Sequence, residues 1–298
     1  MRGDAQSYLE LAVDYGNCGL WDEAIDVLSR VAHPEDAQAK VFPMVYYYLG
    51  YYSEMANETT NALRYYGLAA AMPTDYCFPF RWESLDVLHE ALKSNPRDTR
   101  AYYYLGSLLY DSQPEKAIRA WEASRELDDT FALLHRNLAL AYAQVESKPA
   151  KALASMRKAV ALNPKDARFL FESDQIAEAA GVAPENRLAE LESRQAIVLQ
   201  GDDAVQQETL LYVELGQYDK ALDLLTHRHF HTWEGGGEIH DVYINAYLLR
   251  GRRSRREKRY REALADFQAA LEYPENLEVG RPYFAPRDAE INYFIGTA

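Results

Sequence analysis

The sequence predicts an all-α protein in which antiparallel helix pairs stack into a right-handed superhelical solenoid. Three observations support this fold class. A pattern of large apolar and small residues recurs at intervals of about 34 residues, which is typical of chains built from repeated helix pairs. The eighth and twentieth positions of the pattern are mostly Gly or Ala, which allow two helices to approach closely. Prolines follow the second helix in several copies, where they would stop it before the next copy begins.

The first half of the chain contains four clear copies, with Ala5 as position 1 of the first. Their eighth and twentieth positions hold the pairs Ala12/Ala24, Gly50/Ala62, Gly106/Ala117 and Ala139/Ala152, the last two with turns one residue short and one residue long. Together with large residues such as those in "YYYLGYYSEMANETTNALRYY", this spacing resembles the tetratricopeptide repeat. The resemblance implies a scaffold of helix pairs, and it does not by itself imply a function.

Later copies are weaker in the middle and recover towards the end of the chain. We expect repeat copies near 5–38, 43–76, 99–130, 132–166, 167–201, 202–235 and 244–277. An extra helix is expected at 82–94, and 288–298 resembles the first half of a further copy. A terminal half copy would leave an apolar face open. We therefore expect residues 1–298 to form a single solenoid that is a fragment of a longer chain.

Three longer loops are expected to interrupt the helix pairs. They contain "DYCFPFRWESLDVL", "FHTWEGG" and "YPENLEVGRP", in this order. This series resembles the C-terminal region of large bacterial proteins that carry domain of unknown function 5107, and the resemblance covers essentially the whole chain. It implies that a carbohydrate-related domain precedes the repeats. It assigns no catalytic residue to this chain.

Loops that leave a repeat array are frequent binding sites. The side chains in these loops that we expect to contact a partner are His231, Trp233, Glu234, Phe78, Arg81, Asn276 and Arg281. A tryptophan beside an acidic residue on a glycine-rich loop suits the stacking of a sugar, and it equally suits an aromatic anchor in a protein interface.

The stretch "HRHFHTWEGGGEIH", residues 227–240, holds four of the seven histidines. Leu222 to His227 reads as the end of a helix, where side chains two residues apart diverge, so we predict no metal site and no cofactor. Histidine cations near a helix C-terminus are favoured by the helix dipole, which makes a structural role the leading alternative. The third alternative is a ligand or domain contact made by His231, Trp233 and Glu234.

The repeat frame also predicts which side chains face the concave groove. They are Tyr47, Tyr51, Tyr103, Tyr110, Arg252, Arg255 and Arg256. The arginines could bind an acidic peptide, or they could be solvated or paired within the chain. The tyrosines could line a groove for an extended ligand, or they could fill the space between helices.

Composition excludes several functional classes. The net charge of −14 argues against nucleic-acid binding, although "RRSRREKRYR", residues 252–261, is strongly basic. The chain has no run of about 20 apolar residues that could span a membrane, and "MRGDAQSYLE" lacks the apolar stretch of a signal peptide. Cys18 and Cys77 are too few for a disulfide framework. We therefore expect a cytoplasmic protein without a membrane partner.

No phosphate-binding loop or nucleophile motif is present in the sequence. The sequence therefore predicts a non-catalytic scaffold that binds a protein, a peptide or the N-terminal domain of its own parent protein. Two alternatives stay open. The loops could complete a carbohydrate-active site with that missing domain, or the groove could bind acidic peptides on its own.

Overall fold

A computed structural model describes residues 5–32, 42–74, 77–231 and 238–298. Within these ranges the regular secondary structure consists of 17 α-helices and one short 3-10 helix, without strands, which confirms the all-α prediction. None of these helices is long and apolar enough to cross a membrane. The chain divides into two compact units, Met1–Leu162 and Asn163–Ala298.

The first compact unit is built from helices that follow one another along the chain. They are α1 (Ala5–Asn17), α2 (Trp21–Ser29), α3 (Pro43–Met55), α4 (Thr59–Ala71), α5 (Ser84–Ser94), α6 (Thr99–Leu109), α7 (Pro114–Leu127), α8 (Ala132–Gln144) and α9 (Pro149–Leu162). Four of the pairs, α1–α2, α3–α4, α6–α7 and α8–α9, have helices that pack closely on each other. Helix α5 follows the first interruption and contacts both α3 and α6.

Small residues permit the close approach within each pair. Ala12 and Ala24 are completely buried in α1–α2. A Cβ atom added to Gly50 would lie 2.5 Å from the ring of Tyr66, and one added to Gly106 would lie 2.4 Å from the indole of Trp121. Such distances are below van der Waals contact, so the aromatic rings occupy the space that the two glycines leave open.

The second compact unit begins at Asn163. Its helices are α10 (Ala167–Ala179), α11 (Pro184–Glu192), α12 (Gln195–Val198), α13 (Asp202–Glu214), α14 (Tyr218–His227), α15 (Glu238–Arg256), α16 (Tyr260–Ala269) and α17 (Asp288–Gly296), with the 3-10 helix at Glu275–Leu277. Helix α15 begins before the expected copy start at residue 244. Helix α17 packs through Ile291 and Phe294 on a core that includes Phe267 of α16.

A buried ion pair replaces the small-residue contact in α10–α11. With Ala167 as position 1, Asp174 occupies the eighth position, where the clear copies hold Gly or Ala. Arg187 donates two hydrogen bonds to Asp174, from Nε at 3.0 Å and from Nη2 at 2.6 Å. Both residues are buried. The paired side chains therefore fill the contact that small residues make elsewhere.

Candidate functional site

Two of the three interruptions meet in the second compact unit. After α14 the chain extends through Arg228 to His231, and the backbone amide of Phe230 donates to the carbonyl of Asn276 at 2.8 Å. The side-chain amide of Asn276 donates to the carbonyls of Leu225 at 2.8 Å and Arg228 at 2.7 Å. Phe230 is buried beneath these contacts. We call residues 228–231 together with 275–278 the loop junction.

Asp202, at the start of α13, fixes the other side of the loop junction. Its carboxylate accepts hydrogen bonds from the Arg228 guanidinium, the shorter at 2.6 Å, and from the backbone amide of His231 at 3.0 Å. Burial by itself would raise the pKa of Asp202, but the hydrogen bonds from His231 and Arg228 outweigh it and lower the pKa. The carboxylate is thus ionised at neutral pH, and the guanidinium of Arg228 forms an ion pair with it.

The three neighbouring histidines make separate contacts. His227 Nδ1 lies 3.0 Å from the carbonyl of Asp223, His229 Nε2 lies 2.8 Å from a carboxylate oxygen of Glu278, and His231 Nδ1 lies 3.2 Å from Asp202. Within the described ranges, no group of three or more His, Cys, Asp or Glu side chains is arranged to hold a metal ion. The histidine contacts therefore support the structural alternative.

The remaining predicted contact residues of the second and third loops differ in whether their polar groups are already bound within the chain. Trp233 and Glu234 lie outside the described residues. Asn276 uses both of its amide hydrogens within the loop junction, so it positions backbone. Arg281 forms an ion pair with Asp288 and lies over the ring of Tyr273, 5.7 Å from its centroid. Its guanidinium is half-exposed and already neutralised by that carboxylate.

Replacing Asn276 with Asp is expected to loosen the loop junction. The change substitutes a carboxylate oxygen for the amide group that donates to two carbonyls, so two hydrogen bonds become repulsive contacts. Each lost hydrogen bond costs about 1 kcal/mol. We expect the backbone amide of Phe230 to exchange at least about tenfold faster, as hydrogen-exchange mass spectrometry or NMR would show. Unchanged exchange at Phe230 would contradict the role assigned to Asn276.

The first interruption lies in the first compact unit and exposes aromatic side chains. We call residues 77–82 the aromatic segment. Phe78, Phe80 and Trp82 are 72%, 64% and 54% exposed, whereas Cys77 at the start of the segment is buried. Beyond it, Ser84 at the start of α5 is hydrogen-bonded through its hydroxyl to the hydroxyl of Tyr48 at 2.9 Å. The segment is therefore anchored at both ends and open between them.

The four predicted groove tyrosines divide into buried and partly exposed pairs. Tyr47 and Tyr103 are buried. The hydroxyl of Tyr47 donates to the buried carboxylate of Asp98 at 3.0 Å, and burial together with this carboxylate raises the pKa of Tyr47 well above its usual value. Tyr51 and Tyr110 are partly exposed. Tyr47 and Tyr103 thus fill the space between helices. Tyr47 contacts Asp98 in the turn before α6, and the ring of Tyr103 packs 4.6 Å from that of Phe131 at the start of α8.

The three predicted groove arginines also differ. The guanidinium carbons of Arg252 and Arg255 lie 5.5 and 5.6 Å from the ring centroid of Phe294 in α17, and Arg255 donates to the Thr297 hydroxyl at 2.6 Å. Arg256 is exposed. Helix α17 therefore occupies part of the surface on which an acidic peptide would contact these side chains.

Asp202 and Arg228 organise the loop junction but are not predicted as functional residues from the sequence. Neither lies in a recognisable motif, because the two side chains bind each other across 26 positions and also bind backbone groups, which have no sequence signature. Phe80 and Trp82 lie in the first predicted loop, but they are not among the residues expected to contact a partner. The run of aromatic residues without helical spacing was the available signal for them.

Comparisons with known proteins support the fold. No family model matches the chain. The structure of YrrB, described as a tetratricopeptide protein with an unusual peptide-binding site, aligns at a TM-score of 0.50 and 16% identity, covering 72% of this chain and 100% of that chain. A structure of MamA aligns at a TM-score of 0.41 and 20% identity, covering 61% of this chain and 86% of the other. The likeness to YrrB, taken with the helix pairs described above, shows that this chain has the tetratricopeptide-type fold predicted from its sequence.

Proposed function

We propose that this chain is the non-catalytic interaction and scaffolding region of a larger cytoplasmic bacterial protein, with proteins or peptides as partners. The aromatic segment carries the proposal. Phe78, Phe80 and Trp82 are more than half exposed, although most aromatic residues at the repeat positions are buried. Clustered exposed aromatic side chains are typical of protein interaction sites. The fold shared with YrrB, a protein described as having a peptide-binding site, supports the same proposal.

Panning of phage-displayed random peptides against the full chain tests this function. We expect wild-type protein to enrich a family of related peptides, and we expect the triple variant Phe78→Ser, Phe80→Ser, Trp82→Ser to lose them. The matched control, Leu20→Ser with Leu63→Ser, removes exposed apolar side chains of the same compact unit outside the segment and should keep them. If nothing is enriched, or the triple variant enriches the same peptides, the proposal fails.

A carbohydrate-related role is a second proposal. It rests on the resemblance to proteins with domain of unknown function 5107, which implies a carbohydrate-related domain before the repeats. The loop junction favours it, because two of the three interruptions come together there. Calorimetric titration of this chain with the upstream region of the parent protein tests the idea. Micromolar binding that Trp233→Ala abolishes would support a composite site, and absence of binding would count against it.

A further inference from the structure

The aromatic segment borders a cavity that is also lined by residues of α1 and α3. Its lining includes Leu9 of α1, Met44 of α3 and Cys77, all buried, and Phe78 and Phe80 form an exposed rim. The cavity has a volume of about 120 Å³. Sites for whole small molecules measure roughly 300–1,000 Å³, whereas an apolar cavity of roughly 150 Å³ holds a group of benzene size. The cavity is therefore suited to one apolar side chain.

Among the described residues that line this cavity, Arg81 is the one with a charged side chain. Arg81 follows Phe80, and its Nε atom is buried without a hydrogen-bond partner. Among the residues that the structure describes, no carboxylate lies within ion-pair distance of its guanidinium. A buried donor without a partner costs about 1–3 kcal/mol, and more for a charged group. A carboxylate placed beside the cavity would remove that cost.

The charge of the whole chain limits which carboxylate ligand is suitable. With a net charge of −14, the protein repels strongly acidic partners at long range. One carboxylate beside one apolar side chain matches both the single cation and the size of the cavity. An acid-rich segment would match neither.

Resting on the proposed interaction function, we propose that the cavity binds an internal segment of a partner protein, which inserts one aliphatic side chain and places the carboxylate of an adjacent Asp or Glu on Arg81. The exposed faces of Phe78 and Phe80 then cover the flanking peptide backbone. Aliphatic and acidic residues at neighbouring positions thus define the recognised motif.

A capped peptide array tests this specificity. Two adjacent central positions in a serine-glycine frame carry all natural residues, and acetylated and amidated ends remove the terminal charges. Binding of the full chain is measured by fluorescence polarisation. We expect peptides with Leu, Ile or Met beside Asp or Glu to bind about tenfold more tightly than their Asn or Gln counterparts, the gain typical of a hydrogen bond to a charged group.

Three variants distinguish the binding of the carboxylate by Arg81 from the binding of the aliphatic side chain in the cavity. Arg81→Met should lose the acidic preference and keep the aliphatic one. Gln6→Trp, on the partly exposed side of α1 that lines the cavity, should lose both. Arg119→Met, an exposed arginine of α7, is the matched control and should keep both. Unchanged unfolding midpoints would show that the variants remain folded.

Two results would overturn the inference. The first is an acidic preference that persists in Arg81→Met, and the second is binding that does not require an aliphatic residue. If panned peptides still depend on the aromatic segment while the array shows neither preference, this inference fails and the interaction function stands. If no peptide binds in either experiment, both fail.

Discussion

Replacing Asp174 with Ala is expected to lower the free energy of unfolding by about 3 kcal/mol, the largest single effect that we predict. The change leaves the guanidinium of Arg187 buried without its bidentate partner, whose bonds measure 3.0 and 2.6 Å. The estimate lies at the low end of the range for broken buried pairs, because Glu178 lies 3.2 Å from Arg187 and still neutralises part of its charge.

A double variant provides the control for the ion pair. In Asp174→Leu with Arg187→Met, apolar side chains of comparable size occupy the same contact and no charge is left buried. Such replacements are often neutral or stabilising, so most of the lost stability should return. Urea unfolding followed by circular dichroism measures both variants. A double variant that is no more stable than Asp174→Ala would show that the charge pair is not what the single change disrupts.

Replacing Gly106 with Ala is expected to lower the free energy of unfolding by about 2 kcal/mol, even though alanine is the better helix former by about 1 kcal/mol. The new Cβ would lie 2.4 Å from the indole of Trp121, so the ring must move. That movement also strains the hydrogen bond from Trp121 Nε1 to the carbonyl of Tyr103, which measures 3.1 Å.

Gly67 is the matched control for this change. It lies within α4 with open space around its Cα, so an added Cβ meets no atom within 4 Å. Gly67→Ala should therefore raise the free energy of unfolding by up to about 1 kcal/mol. Opposite signs at the two glycines, measured by urea unfolding, would confirm that close approach within the helix pair fixes the residue at the eighth position. Equal signs would contradict that explanation.

The fold was predictable from sequence because the close contact within each helix pair needs small residues, and these recur at a fixed spacing along the chain. Small residues such as Gly50 and Gly106 mark the close contact in each pair, and the pattern recurs often enough to be recognised. The copy expected at 167–201 matches the repeat pattern weakly because Asp174 stands where a small residue is typical. Its partner Arg187 is thirteen positions away in another helix, and no sequence rule links the two.

The candidate sites were predictable only in part. The sequence pattern indicates where the helix pairs are interrupted. Hydrogen bonds to backbone carbonyls determine how two of the interruptions meet. Because every residue has a backbone carbonyl, the sequence does not predict these bonds. The sequence therefore predicts a ligand contact for the amide of Asn276, whereas in the structure this amide donates to the carbonyls of Leu225 and Arg228. Similarly, the repeat frame predicts that Arg252 and Arg255 lie on one face of their helix, and it carries no information about the packing of Phe294 against them.

The central claim is that this chain is an interaction scaffold whose partner binds at the aromatic segment. Hydrogen-exchange mass spectrometry of the full chain, with and without a peptide enriched in the panning experiment, tests it most directly. The account predicts slower exchange in residues 77–84 and in the facing parts of α1 and α3, with α13 to α16 unchanged. Protection confined to α15–α17, or no protection anywhere, would contradict it.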